Sequence, residues 1–169
     1  SIGTSAFVAV WVAGMAVFVG TCNAFLFVRH SFRGQGVLYI LMLLPLIIPG
    51  VILGISILVF SSSVANTLED ATGLWFDGLR PGLILVILGQ FSFITTFATL
   101  VISARLQKFD QSLEEAALNL GATPLVAWFT VTLPWLLPSI FGAAAMAFLM
   151  SFENFNTTVM LTGSDTPLT

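Results

Sequence analysis

Charge is what this sequence has least of. Asp, Glu, Lys and Arg make up 8% of its 169 residues, against about 25% in soluble globular chains. So few charges cannot solvate a disordered chain. With 57% of residues hydrophobic and a mean hydropathy of +1.04, a soluble enzyme is excluded as well. Cysteine is nearly absent too: the single Cys22 cannot form a disulfide within the chain, which rules out a stapled scaffold. Cys22 is expected to be a packed, inert thiol. The one histidine, His30, reads as an interfacial side chain, and no cluster of metal ligands surrounds either residue. A net charge of -3 without any basic run argues against nucleic acid. No nucleophile–base pair or phosphate-cradling glycine loop appears.

What the chain does have is long uncharged runs. Residues 1–28, 34–68, 81–104 and 116–152 contain no Asp, Glu, Lys or Arg. A hydrocarbon layer about 30 Å thick takes about 20 helical residues, so each run crosses once and none is long enough to cross twice. The expectation is an all-α, polytopic membrane protein forming one domain over residues 1–169. Its four transmembrane helices fall at about 6–28, 37–60, 82–104 and 134–152. Continuous apolar runs, rather than ten-residue alternation, exclude a β-barrel. The chain starts at Ser1 without the basic region of a signal peptide, and it reads as a fragment that begins just before a transmembrane helix. Arg29, Arg33, Arg105 and Lys108 flank the first and third connections, which marks these as cytoplasmic; Arg80, Glu69, Asp70 and Asp77 then lie outside.

Within the spans, Pro45 and Pro49 predict a bend between Leu44 and Gly50, because each removes a backbone donor and clashes with the preceding turn. Gly50 and Gly54, and Gly142 with Ala143, Ala144, Ala145 and Ala147, suggest close helix packing. A hydroxyl stripe of Ser92, Thr95, Thr96, Thr99 and Ser103 lies near one face of the third span, with Gln90 beside it. Two readings stay open: the stripe lines an aqueous path, or its hydroxyls bond back to their own helix. An amide facing lipid is costly, which favours a path-lining role for Gln90.

Charges gather only in the segment 105–133. Asp110 as an N-cap, or Ser112 with Glu115 as a capping box, starts a short helix. Gly121 ends it in the left-handed C′ position. Thr123 and Pro124 then offer a new N-cap and first helical position, so a second short helix leads to a span beginning at Pro134. On the first short helix, Leu113, Ala116, Ala117 and Leu120 share one face, and Glu114 and Glu115 offer carboxylates to a basic partner.

These residues resemble a known motif. Glu115-Ala116-Ala117, then Gly121, then Val131, Leu133 and Pro134 follow the spacing of the EAA loop, EAA-x3-G-x9-I-x-LP, with Val131 in place of isoleucine. That loop is the mark of permease subunits of binding-protein-dependent ABC importers. Residues 43–60 and the run SFENFNTT from Ser151 look most like the spermidine/putrescine-type permeases.

The resemblance implies a six-helix type I permease in which this chain supplies the second to fifth helices. It implies no enzymatic activity and no bound cofactor; ATP and magnesium would be used by a cytosolic ATPase dimer. Glu114 and Glu115 would contact that ATPase, Ala116 and Ala117 would permit close seating, Gly121 would allow the turn, and Pro134 would fix a hinge into the membrane. Further partners would be a second permease subunit, an extracytoplasmic substrate-binding protein and the bilayer of a bacterial or archaeal inner membrane. Gln90, Ser92 and Thr96 would face the substrate path. Glu153, Asn154 and Asn156, beside Phe152 and Phe155, would meet solute at the outer end, Glu153 holding an ammonium group by charge and cation–π attraction. Polyamine-type relatives carry two adjacent acids there, whereas the second position here is Asn154. Permeases for ferric iron, opines, amino-acid derivatives or sulfate are the alternatives within the family. An ion-coupled transporter or channel is the alternative outside it.

Overall fold

A computed structural model describes residues 2–73 and 83–153. Among these residues all regular structure is helical: α1 (Ile2–Arg29), α2 (Gln35–Ile47), α3 (Gly50–Thr72), α4 (Leu83–Leu106), α5 (Ser112–Asn119), α6 (Pro124–Ala127) and α7 (Leu133–Phe152). A π-helical turn, Trp128–Thr132, joins α6 to α7. Four helical stretches are long and apolar enough to cross a membrane: Ala6–Arg29, Ile52–Thr72, Ile84–Leu106 and Pro124–Phe152.

The core is the contact of α1, α4 and α7. Toward one end, Val12 and Ala16 meet Val86, Ile94 and Ala147; deeper, Ala24, Ala98, Ile102 and Ala143 form a second layer. Small residues dominate these layers, since between helices in lipid the gain comes from close van der Waals approach. At the basic end, Leu106, Phe109 and Leu136 close the core beneath Phe25 and Val28. Helices α2 and α3 rest on α4, and α2 buries none of its residues.

The structure departs from the sequence expectation in three places. The second span, expected as one bent helix over 37–60, is two helices. Ile48 is extended at φ -75°, ψ 131°, between the end of α2 and Pro49. Proline disfavours the helical region for the residue before it, so the chain breaks at residue 48 and restarts at Gly50. Pro45, in contrast, stays inside α2.

Second, Pro134 stands within one continuous helical rod made of α6, the π turn and α7, so the short helix before it runs on into the span. In the π turn the Leu133 N–H reaches back five residues to the Trp128 carbonyl. Widening the turn just before Pro134 accommodates a residue that has no N–H to offer and whose ring would crowd a tighter one. Third, Cys22 is exposed on α1 and lines a shallow apolar groove with Phe18, Phe25 and Trp128. Gly142 likewise faces open space, with nothing within 4 Å of the position a Cβ would take, while Ala143 and Ala147 are buried.

Candidate functional site

The short helix α5 lies at the end of the bundle where α1 and α4 finish in Arg29 and Arg105. Its start is set by Asp110, whose Oδ1 accepts from the Ser112 N–H at 2.9 Å and whose carbonyl accepts from Leu113 at 3.2 Å. These bonds to Ser112 hold the Asp110 carboxyl below the usual carboxylate range. The cap position itself is Gln111, and the side-chain bond at this start comes from Asp110, one residue before it. At the other end, Gly121 has φ +92°; its N–H bonds to the Leu118 carbonyl at 3.0 Å and the Ala122 N–H to Ala117 at 3.1 Å. This is a Schellman pair, and it needs a residue that tolerates the left-handed region. Thr123 then caps α6, its side chain accepting from the Val126 N–H at 3.4 Å, with Pro124 in the first turn.

Helical spacing turns Glu114 and Ala117 inward, and both are half-buried. Arg29 Nη1 donates to Glu114 Oε2 at 2.6 Å, and Thr132 Oγ1 donates to Glu114 Oε1, also at 2.6 Å. Both carboxylate oxygens are thus engaged inside the chain. Partial burial opposes ionisation of Glu114, but the bonds from Thr132 and Arg29 and the charge of Arg29 prevail, and its carboxyl lies below the usual range. Arg29 is itself held between rings, its guanidinium carbon 5.3 Å from the Phe109 centroid and 6.0 Å from that of Phe25. Its charge also suits the negative end of the α1 dipole. A second basic tie lies nearby: Arg105 stacks on Trp135 at 4.1 Å and donates Nε to the Trp135 carbonyl at 3.4 Å.

The outward side of α5 is uncovered. Leu113, Glu115 and Ala116 are exposed, and Leu120 is 89% accessible. A groove of about 270 Å³ runs between this helix and α6, lined by Gln111, Glu114, Glu115, Leu118, Pro124 and Ala127. Leu113 and Leu120 therefore do not pack against the chain's own core. Apolar side chains left exposed beside a carboxylate suit a protein partner. Glu114, expected alongside Glu115 as a partner contact, lines this groove and is at the same time tied to its own bundle.

The substrate-path candidates lie elsewhere. Gln90 is buried and accepts a short hydrogen bond from Ser151, two residues before Glu153. Ser92 bonds to the Gly89 carbonyl at 2.9 Å and Thr99 to Thr95 at 2.8 Å, the back-bonding alternative. Thr96 reaches across to the Met42 carbonyl of α2 at 2.7 Å, so it links two helices. The Thr95 and Ser103 hydroxyls are buried without a partner. Glu153 is exposed just past α7, and Asn154 and Asn156 lie outside the described residues. Among the described residues no group of His, Cys, Asp and Glu is suited to a metal.

Sequence reasoning used Arg29 only as a marker of sidedness and did not single out Thr132. Thr132 occupies the unspecified position between Val131 and Leu133 of the motif, and no local pattern links it to Arg29.

A family model described as binding-protein-dependent transport system inner membrane component matches residues 13–168. The putrescine transport system permease protein PotI of Escherichia coli K12 is 36% identical over 155 residues, covering 91% of this chain and 53% of that protein. The molybdenum transport system permease protein ModB of the same strain is 33% identical over 145 residues, 83% of this chain and 61% of that protein. The spermidine/putrescine transport system permease protein PotC homolog of Mycoplasma pneumoniae is 32% identical over 117 residues, 69% of this chain and 37% of that protein. The chain spans about half the length of PotI.

Proposed function

Since the chain belongs to the binding-protein-dependent transport system inner membrane components, we propose that it forms half of the translocation path of an ATP-driven importer for a polyamine such as putrescine. Its seat for the cytosolic ATPase dimer is α5. The observation that carries this reading is a short amphipathic helix with an uncovered apolar edge, Leu113 exposed on it and its C-cap Leu120 89% accessible, standing at the basic and hence cytoplasmic end of a membrane bundle. ATP and magnesium are used in the partner ATPase, and this chain moves solute without chemistry of its own.

In this reading Glu115, Ala116 and Leu120 meet the ATPase, and Gly121 sets the turn that leads back to the membrane. A second, related permease subunit completes the path, and an extracytoplasmic binding protein delivers the solute. Gln90, Ser92 and Thr96 belong to the path side of the bundle, and Glu153 with Asn154 and Asn156 meets solute at the outer end. Polyamine relatives and an outer carboxylate at Glu153 support a cationic solute. The likeness to ModB supports an oxyanion as the second reading, against which Glu153 would act by repulsion. An ion-coupled transporter needs ionisable groups deep inside its spans; among the described residues, Arg29, Glu69, Asp70, Arg105 and Glu153 stand at helix ends.

The test is uptake by the reconstituted complex with its ATPase, second permease and binding protein. ATP-dependent accumulation of radiolabelled putrescine is expected. Accumulation of molybdate with none of putrescine or spermidine would overturn the polyamine assignment, and uptake without ATP would overturn the importer.

A further inference from the structure

An eight-residue helix has no stability of its own, and α5 buries none of its residues. Its orientation must come from what ties it to the bundle. One side chain makes two such ties: Glu114 takes Arg29, the last residue of α1, on one carboxylate oxygen and Thr132, in the π turn before α7, on the other. Helices α1 and α7 are two of the three that build the core. We propose that Arg29, through Glu114 and Thr132, is a positioning residue for coupling: the three side chains form a strut that fixes α5 to α1 and α7 together, so that a partner's push on α5 turns both helices.

Three features suit a strut better than a docking contact. Arg29 and Glu114 are each only 19% accessible, so a partner surface has little of them to hold. Thr132 is fully buried, and its hydroxyl has the carboxylate as its acceptor. The Arg29 guanidinium also lies near the Phe25 and Phe109 rings, and of its two terminal nitrogens Nη1 bonds Glu114 while Nη2 is buried without a partner. The rod from α6 through the π turn to α7 is continuous, so Thr132 stands where a displacement enters the helix that ends beside the Gln90–Ser151 contact.

The inference rests on the reading of α5 as the ATPase seat, and its test separates the two. In the complete importer in proteoliposomes, solute moved per ATP hydrolysed and ATPase subunit bound per complex are measured for Arg29→Glu, Glu114→Arg, the exchange of both, the isosteric Glu114→Gln, Thr132→Val and Leu120→Asp. The strut predicts that Arg29→Glu and Glu114→Arg lower transport per ATP by about tenfold while the ATPase stays bound at wild-type occupancy. The exchange restores it to within about threefold, a coupling that a double-mutant cycle isolates. Glu114→Gln and Thr132→Val, which keep the shape of the site, lower it less and in the same direction. Wild-type coupling in Glu114→Gln and Thr132→Val together, an exchange no better than the single variants, or loss of the ATPase from Glu114→Gln would each overturn the strut. Retention of the ATPase by Leu120→Asp would instead overturn the docking reading.

Discussion

Gly20 on α1 lies against Ala98 on α4 so closely that a Cβ at residue 20 would stand 2.9 Å from the Ala98 Cβ and 3.1 Å from the Thr99 backbone nitrogen. Neither contact is the loose end of a flexible side chain, so the helices themselves would have to part. Gly20→Leu is expected to destabilise the bundle by about 1–3 kcal/mol. Gly14, inside the same helix with nothing within 4 Å of its Cβ position, is the control, and Gly14→Ala should not destabilise the bundle and should raise stability by up to about 1 kcal/mol, because glycine is a poor helix former. Thermal midpoints in detergent distinguish the two.

At Gly121 the space around a Cβ is open, but φ is +92°. The penalty for a side chain there is backbone strain of about 1–2 kcal/mol rather than a clash. Gly121→Asn should be the mildest substitution, Gly121→Val severe. Gly121→Asp adds a charge beside the uncovered face of α5, and it should leave the chain in the membrane while uncoupling transport from ATP hydrolysis. Full uptake by Gly121→Asp at wild-type ATPase occupancy would refute this.

Acid should loosen α5. The Glu114 carboxyl titrates below its ordinary value in the folded chain, so the unfolded chain binds the proton first as pH falls. The stabilisation is then complete above the ordinary glutamate value, about pH 4.3, and is lost as pH drops through the folded value. Stability measured against pH should fall in this range for the wild type and less steeply for Glu114→Gln. Equal slopes would count against the bond network.

Arg105 and Trp135 form the other tie at the basic end, by cation–π stacking at 4.1 Å. At a partly exposed site this is worth about 0.5–1 kcal/mol. Trp135→Leu should lower the thermal midpoint by a corresponding amount, and Trp135→Phe by less, because a ring remains beneath the guanidinium.

The number of spans was legible because lipid imposes a length and forbids charge, and both can be counted along the chain; the second was placed too early, since the helix long and apolar enough to cross is Ile52–Thr72 rather than 37–60. Local backbone signals were legible as well: the left-handed Gly121 and the Thr123-Pro124 start depend on neighbours in sequence. Pro49 located the interruption of the second span but not its extent, since whether a proline bends or breaks a helix depends on the packing around it, and α2 and α3 have little. Pro134 gave no sign that the short helix before it continues into the span, because a widened turn upstream absorbs the missing donor. Arg29 and Glu114 are 85 residues apart, and nothing local joins them. The Gly20 crossing had a readable signal in Ala16, Gly20 and Ala24, which repeat at four-residue spacing along α1, the same small-residue pattern present at Gly50 and Gly54.

On the reading proposed above, the outward face of α5 seats a cytosolic ATPase while its inward face is tied to the bundle. Single cysteines placed at Ala116, Ala117 and Leu120, in a chain with Cys22→Ser, test it by crosslinking within the assembled, transport-competent complex. Positions 116 and 120 should crosslink to the ATPase subunit, and position 117 should not. A complex that transports solute with ATP yet crosslinks from none of these positions, or from 117 alone, would contradict the account.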